Sequence, residues 1–83
     1  MYYTYILRSD KNGKYYIGCT GDLDRRITEH NNGLSKFTKG KGPWIICYSE
    51  QFNNLIDARK REKQIKSWKK RAAIEKLING AFV

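Results

Sequence analysis

Two short tracts rich in tyrosine and β-branched residues, Tyr2 to Leu7 and Lys14 to Cys19, stand on either side of Asp10-Lys11-Asn12-Gly13. Strand-forming runs separated by a turn that ends in Asn-Gly are the pattern of a β-hairpin, so the chain opens by laying two antiparallel strands side by side. Side chains on a strand alternate between faces. Tyr3, Tyr5 and Leu7 therefore share one side of the first strand, while on the second Tyr16 and Gly18 oppose Tyr15, Ile17 and Cys19. Tyrosines from both strands can reach a common site.

The next segment is a short helix, because Asp22 is a good N-cap and Gly33 a good stop. Leu23 and Ile27 make its apolar stripe. Arg26 lies three residues after Leu23 and His30 three after Ile27, so both sit on or beside that stripe and point toward the tyrosines. A glycine-punctuated loop follows, and Gly42-Pro43 marks the start of a third strand from about Trp44 to Phe52, since proline suits a strand start and not its interior. Asn53-Asn54 then caps a long helix, and a final short helix ends at Gly80. The expected fold is a small α/β (α+β) layer in one domain over residues 1–83: a three-stranded sheet with an N-terminal hairpin, flanked by about three helices.

The long helix holds the most anomalous residue. Its inward series runs Leu55, Ala58, Glu62, Ile65 and Trp68 at spacings of three or four, so Glu62 stands where an apolar side chain belongs. An unpartnered buried carboxylate is costly, so the position calls for a cation, a metal or a catalytic duty. Two readings follow from the spacing alone: an ion pair with Arg26 or another base, or a metal ligand.

Charge points to the partner. Seventeen Lys and Arg against eight Asp and Glu give a formal net charge of +9, and a domain this small and basic is drawn to polyanions. The cations gather in two places, Lys36, Lys39 and Lys41 in the loop, and a tract from Arg59 to Arg71 in the helices. The loop can mould to a phosphate backbone, whereas the helical tract reads equally as a solvated face or as phosphate contacts. A domain of 83 residues buries only about three fifths of its unfolded surface, so two Trp, six Tyr and three Phe carry much of the core. No charged leader precedes an apolar run and no stretch nears the ~20 apolar residues of a membrane span, which makes a cytoplasmic protein the expectation. Cys19 and Cys47, both in strands, are expected to be reduced and structural, and with one histidine they make no zinc site.

At these same residues the chain resembles the GIY-YIG nuclease superfamily, and among its members the small stand-alone bacterial ones. The first half of the family motif falls on Tyr3-Thr4-Tyr5, degenerate in two of three positions, and the second on Tyr16-Ile17-Gly18, which is intact. The helix arginine falls on Arg26, the tyrosine or histidine four residues later on His30, and the single metal-binding glutamate on Glu62. Tyr5-Ile6-Leu7-Arg8, Asp22-Leu23-Asp24-Arg25-Arg26 and Thr38-Lys39-Gly40-Lys41-Gly42-Pro43 carry the likeness further, and it runs from Tyr2 to about Ile78. Two positions depart from it. Cys19 stands where some repair-nuclease relatives place a lysine, and Phe37 lies in a segment where close relatives often carry tyrosine.

The resemblance implies a metal-dependent DNA endonuclease acting in repair, recombination or processing, with Mg²⁺ or Mn²⁺ on Glu62. One carboxylate suffices for Mg²⁺, which keeps several waters and takes a phosphate oxygen. Tyr5, with Tyr16 and His30 behind it in rank, would take the proton of the attacking water, provided that nearby positive charge lowers the phenol from its usual pKa of about 10. Arg26 would supply that charge and stabilise the transition state, His30 would bond a phosphate oxygen or orient the water, and Gly18 would leave room for a close approach. Lys36, Lys39 and Lys41 would hold DNA. The alternatives are a nucleic-acid-binding module that does not cleave, and a catalytic subunit that needs a protein partner for its specificity.

Overall fold

The computed structural model describes residues 1–80. The hairpin forms from β1 (Tyr2–Ser9) and β2 (Tyr15–Thr20), paired antiparallel in a register that sets Tyr5 against Gly18 and Leu7 against Tyr16. Its turn is closed by the Gly13 N–H donating to the Ser9 carbonyl at 2.8 Å, with Gly13 at φ +71°, a conformation that suits glycine. The Ser9 hydroxyl oxygen accepts from the Lys11 and Asn12 amides and fixes the turn from within. β1 runs two residues beyond Leu7, because Arg8 and Ser9 find partners in Ile45 and Trp44 of the third strand.

That strand, β3 (Trp44–Phe52), has the expected bounds and pairs antiparallel with the other edge of β1, giving the order β2-β1-β3. The register slips between Ile6, opposite Tyr48, and Leu7, opposite Ile46, so Cys47 is the extra residue of a bulge. Three helices complete an α+β fold: α1 (Leu23–Asn31), α2 (Leu55–Ser67) and α3 (Arg71–Ile78). The caps are those the sequence predicts. Asp22 accepts from the Arg25 amide, Asn54 accepts from the Asp57 amide, and Gly33 turns the chain out of α1 at φ +74°.

The sheet is covered on both faces. On one, Ile6 and Ile17 pack against Ile65 of α2 and Leu77 of α3, and each such buried side chain contributes roughly 1.5–3 kcal/mol. On the other, Tyr5, Leu7 and Trp44 pack with Tyr16, Leu23, Ile27 and Ile46. Every residue from Thr4 to Leu7 is consequently buried, although a hairpin strand alone would alternate. Two polar ties fix the layers. The Thr4 hydroxyl donates to the Ala58 carbonyl of α2 at 2.6 Å, and the Asn31 side chain clasps both the N–H and the carbonyl of Trp44 at 2.6 and 3.2 Å. No helix of the described residues is long and apolar enough to cross a membrane.

Candidate active site

A cleft of about 420 Å³ opens beside β2, lined by Tyr5, Tyr16 and Gly18 of the hairpin, Arg26 of α1 and Glu62 of α2, with Cys19 between them. Five of the residues singled out in the sequence thus meet in one place. Three cations of α2, Arg59, Lys63 and Lys66, line the same cleft, so part of the basic tract faces the site and not only solvent.

Tyr5 projects from the central strand and is 1 % exposed. Its hydroxyl lies 3.0 Å from His30 Nε2, and His30 Nδ1 lies 2.7 Å from the Thr38 hydroxyl, so both ring nitrogens are engaged. Tyr16 closes the other side of the imidazole edge-on, with ring centroids 4.9 Å apart. His30 is as buried as Tyr5, and the direct phosphate contact expected of it has no free ring nitrogen to make it. Gly18 explains how the phenol fits. A Cβ at Gly18 would come within 2.5 Å of the Tyr5 hydroxyl and 2.7 Å of its ring carbon, distances at which something must move.

Arg26 lies near enough to the Tyr5 side chain to favour its ionised form and, through Nη1, donates to the Glu29 carboxylate at 3.1 Å. Burial nonetheless pushes the Tyr5 pKa up to about 12, outweighing the lowering by Arg26. The cation therefore does not bring the phenol toward neutrality, as the composition of the site suggested. His30 moves the other way: burial, and then the Arg26 charge, hold it below its ordinary value and keep the imidazole neutral near pH 7.

Glu62 is not paired with Arg26. Its carboxylate accepts from Lys66 Nζ at 2.6 Å, one turn along the same helix, while the side chain keeps about a fifth of its surface exposed in the cleft (19 %). Lys66 is half exposed, so it can swing into water and release the carboxylate. Cys19 is neither core nor disulfide-bonded: it borders the cleft beside Glu62, and burial first, then the bond to Glu62, raise its thiol pKa. Among the described residues no three His, Cys, Asp or Glu side chains gather into an all-protein metal cage. A single hard oxygen donor open to water does fit Mg²⁺ or Mn²⁺, which complete their shells with waters and phosphate oxygens.

Lys36, Lys39 and Lys41 are exposed and stand outside the cleft lining, on the loop between α1 and β3. That loop is nonetheless joined to the site through Thr38, whose hydroxyl meets His30 and whose carbonyl accepts from Trp44 Nε1 at 3.2 Å. Thr38 is the one residue of the network that residue type and spacing did not reveal; its contact with His30 spans a loop, with no periodicity to announce it.

A family model described as the GIY-YIG catalytic domain matches residues 1–77. The chain belongs to the GIY-YIG family. It is a family of nucleases. Among its relatives, the UPF0213 protein of Clostridium perfringens is 45 % identical over 67 residues, 80 % of this chain and 71 % of that one. The UPF0213 protein of Staphylococcus saprophyticus is 35 % identical over 80 residues, covering 95 % and 96 %. The solution NMR structure of the UPF0213 protein from Bacillus halodurans superposes with a TM-score of 0.60 at 34 % identity, covering 95 % of this chain and 84 % of that one. This GIY-YIG domain thus shares its three-stranded α+β architecture with a small bacterial protein of known structure.

Proposed function

We propose that the chain is a metal-dependent DNA endonuclease that hydrolyses phosphodiester bonds at a single-metal site, in DNA repair, recombination or processing. The observation that carries this reading is the meeting of Tyr5, Arg26 and Glu62, from three separate elements, in one water-accessible cleft. A non-cleaving module would give no reason for a carboxylate among cations that otherwise favour phosphate.

Glu62 would hold a divalent cation, which when bound would supply Lewis-acid stabilisation of charge on the scissile phosphate. Arg26 has donors to spare beyond Glu29, and its planar guanidinium meets phosphate oxygens as their charge grows. The proton of the attacking water goes to the Tyr5 oxygen while the Tyr5 proton goes to His30 Nε2. A phenol is a stronger acid than a threonine hydroxyl, so it is the better donor to that nitrogen, and His30 then donates from Nδ1 to Thr38. In such a relay the phenol carries no free negative charge, and the Nδ1–H bond to Thr38 supports the imidazolium that burial and Arg26 otherwise disfavour. His30 is thereby a positioning and proton-accepting residue behind Tyr5. Tyr16 packs the imidazole edge-on and excludes water from that side.

The test is cleavage of labelled duplex, single-stranded, flap and branched DNAs with Mg²⁺ or Mn²⁺ by the wild type, Glu62→Ala and Arg26→Ala, with fold verified by circular dichroism. Cutting by the wild type and loss of at least about 100-fold in each variant is the expected result, the scale on which one charge-stabilising group acts. Undiminished cutting by Glu62→Ala would sink the single-metal site. Absence of cutting by the wild type, with DNA binding retained, would favour the binding module or a subunit that requires a protein partner.

A further inference from the structure

The loop between α1 and β3 is built inside out. Its hydroxyl residues Ser35 and Thr38 are buried (6 % and 1 % exposed), while Leu34 and Phe37 stand 71 % and 70 % exposed. Loose packing does not account for this, because the loop is held in one register. The Lys39 amide donates to the Ser35 carbonyl and the Lys41 amide to the Thr38 carbonyl, at 3.0 and 3.1 Å. Outside partners hold it as well: Trp44 Nε1 on the Thr38 carbonyl and the Ser9 hydroxyl on the Lys41 carbonyl. With Thr38 pinned inward, Phe37 is committed to water, where its ring forgoes the burial that aromatic residues normally gain.

What surrounds the ring says what it is for. Lys36, Lys39 and Lys41 flank it, and residues 33–43 contain no Asp or Glu. A polyanion is the partner such a surface attracts, and a second copy of the same cationic loop is the one it repels. Within a polyanionic strand, an aromatic face is complementary to a nucleobase, on which it stacks without regard to sequence. Bases inside a perfect duplex have both faces covered by their neighbours, and wedging a ring between them costs unstacking, so the ring favours a base that is already unpaired or splayed from the stack. The position matches: the residue next to Phe37 is Thr38, bonded to the imidazole that backs Tyr5. A strand whose base lies on Phe37 is therefore held against the loop that joins the cleft.

We infer that Phe37 is a stacking platform for an unpaired base, and that it makes the protein selective for DNA with a single-stranded region beside the bond to be cut. The part that concerns cutting rests on the nuclease reading above; the part that concerns binding does not. Binding is measured by fluorescence anisotropy on the full chain carrying Glu62→Ala, with a perfect duplex and with the same duplex bearing a flap. Adding Phe37→Ala weakens flap binding about tenfold, within the range for losing one base stack, and leaves duplex binding within about twofold. Phe37→Trp keeps flap affinity, and its added indole emission is quenched by oligothymidine. The slope of log K against log salt stays the same in both variants, since no cation is lost. The ring makes no core contact, so the thermal midpoints are expected to coincide.

Equal weakening on flap and duplex, no weakening on either, or unquenched indole emission would each overturn the inference. Cleavage by the protein with Glu62 intact separates the two readings. If it cuts and Phe37→Ala leaves the flap-to-duplex preference unchanged, stacking alone is wrong. If it cuts nothing while Phe37→Ala abolishes the binding preference, the nuclease reading alone is wrong.

Discussion

Gly18 and Tyr5 face each other across the hairpin so closely that the phenol occupies the space of a missing side chain. Gly18→Ala is therefore expected to shift the Tyr5 hydroxyl away from His30 without unfolding the domain. Misplacing a reacting group by about 1 Å costs on the order of 100-fold in rate, and overpacking of this kind costs about 1–3 kcal/mol, so steady-state cleavage should fall far more than stability. A Gly18→Ala protein that cuts at the wild-type rate would show that the Tyr5 position is not critical. The burial of Tyr5 also gives stability a pH signature. Its pKa is about 12 in the fold against 10.0 for the exposed side chain, so the folded state retains a proton that the unfolded state loses. The resulting stabilisation is complete below pH 10 and is lost as pH rises through about 12, and a shift of this size corresponds to roughly 2–3 kcal/mol. Urea denaturation of wild type and Tyr5→Phe between those pH values should show the steeper decline in the wild type; parallel curves would contradict the burial argument.

At the scale of elements, what could be read from the chain was whatever its local chemistry decides. The hairpin followed from strand runs around Asp10-Lys11-Asn12-Gly13, α1 from Asp22 and Gly33, β3 from the proline before Trp44, and α2 from Asn54. The residues gathered in the cleft were legible for a related reason, because strand alternation and helical spacing both point side chains in fixed directions. What escaped was nonlocal. The extension of β1 to Ser9 depends on pairing with β3, and the bulge at Cys47 on how two strands fit over a core. The Thr38 contact depends on where a loop comes to rest. Glu62 is instructive in the other direction: Lys66, four residues on, was a partner that helical spacing already offered, while Arg26 found Glu29 one turn away. Cys19 looked like core because strands usually bury small residues, but its strand lies at the sheet edge where the cleft opens.

Across the whole molecule, the net charge of +9 divides into cations with different occupations. Arg61 is tied to Glu50 at 2.9 Å and lies over the Trp68 ring, and Arg71 lies over Tyr15, so these two serve the fold. Lys36, Lys39 and Lys41 are exposed on the loop and Arg59 and Lys63 line the cleft, and on the proposed function these are the cations that would meet phosphate. Five such contacts predict that log K for duplex DNA falls against log salt with a slope of about −4 to −5, and that Lys39→Ala reduces it by about one. An unchanged slope in that variant, measured by anisotropy titration, would place Lys39 off the path of the strand. The two-faced sheet has a further consequence. Arg26 arrives from the layer packed on Tyr5 and Leu7, whereas Glu62 arrives from the layer packed on Ile6 and Ile17. A chain in which α2 has not yet docked keeps its tyrosine and arginine but has no carboxylate with which to hold a metal. On the proposed chemistry, then, cutting requires the same docking of α2 that completes the core.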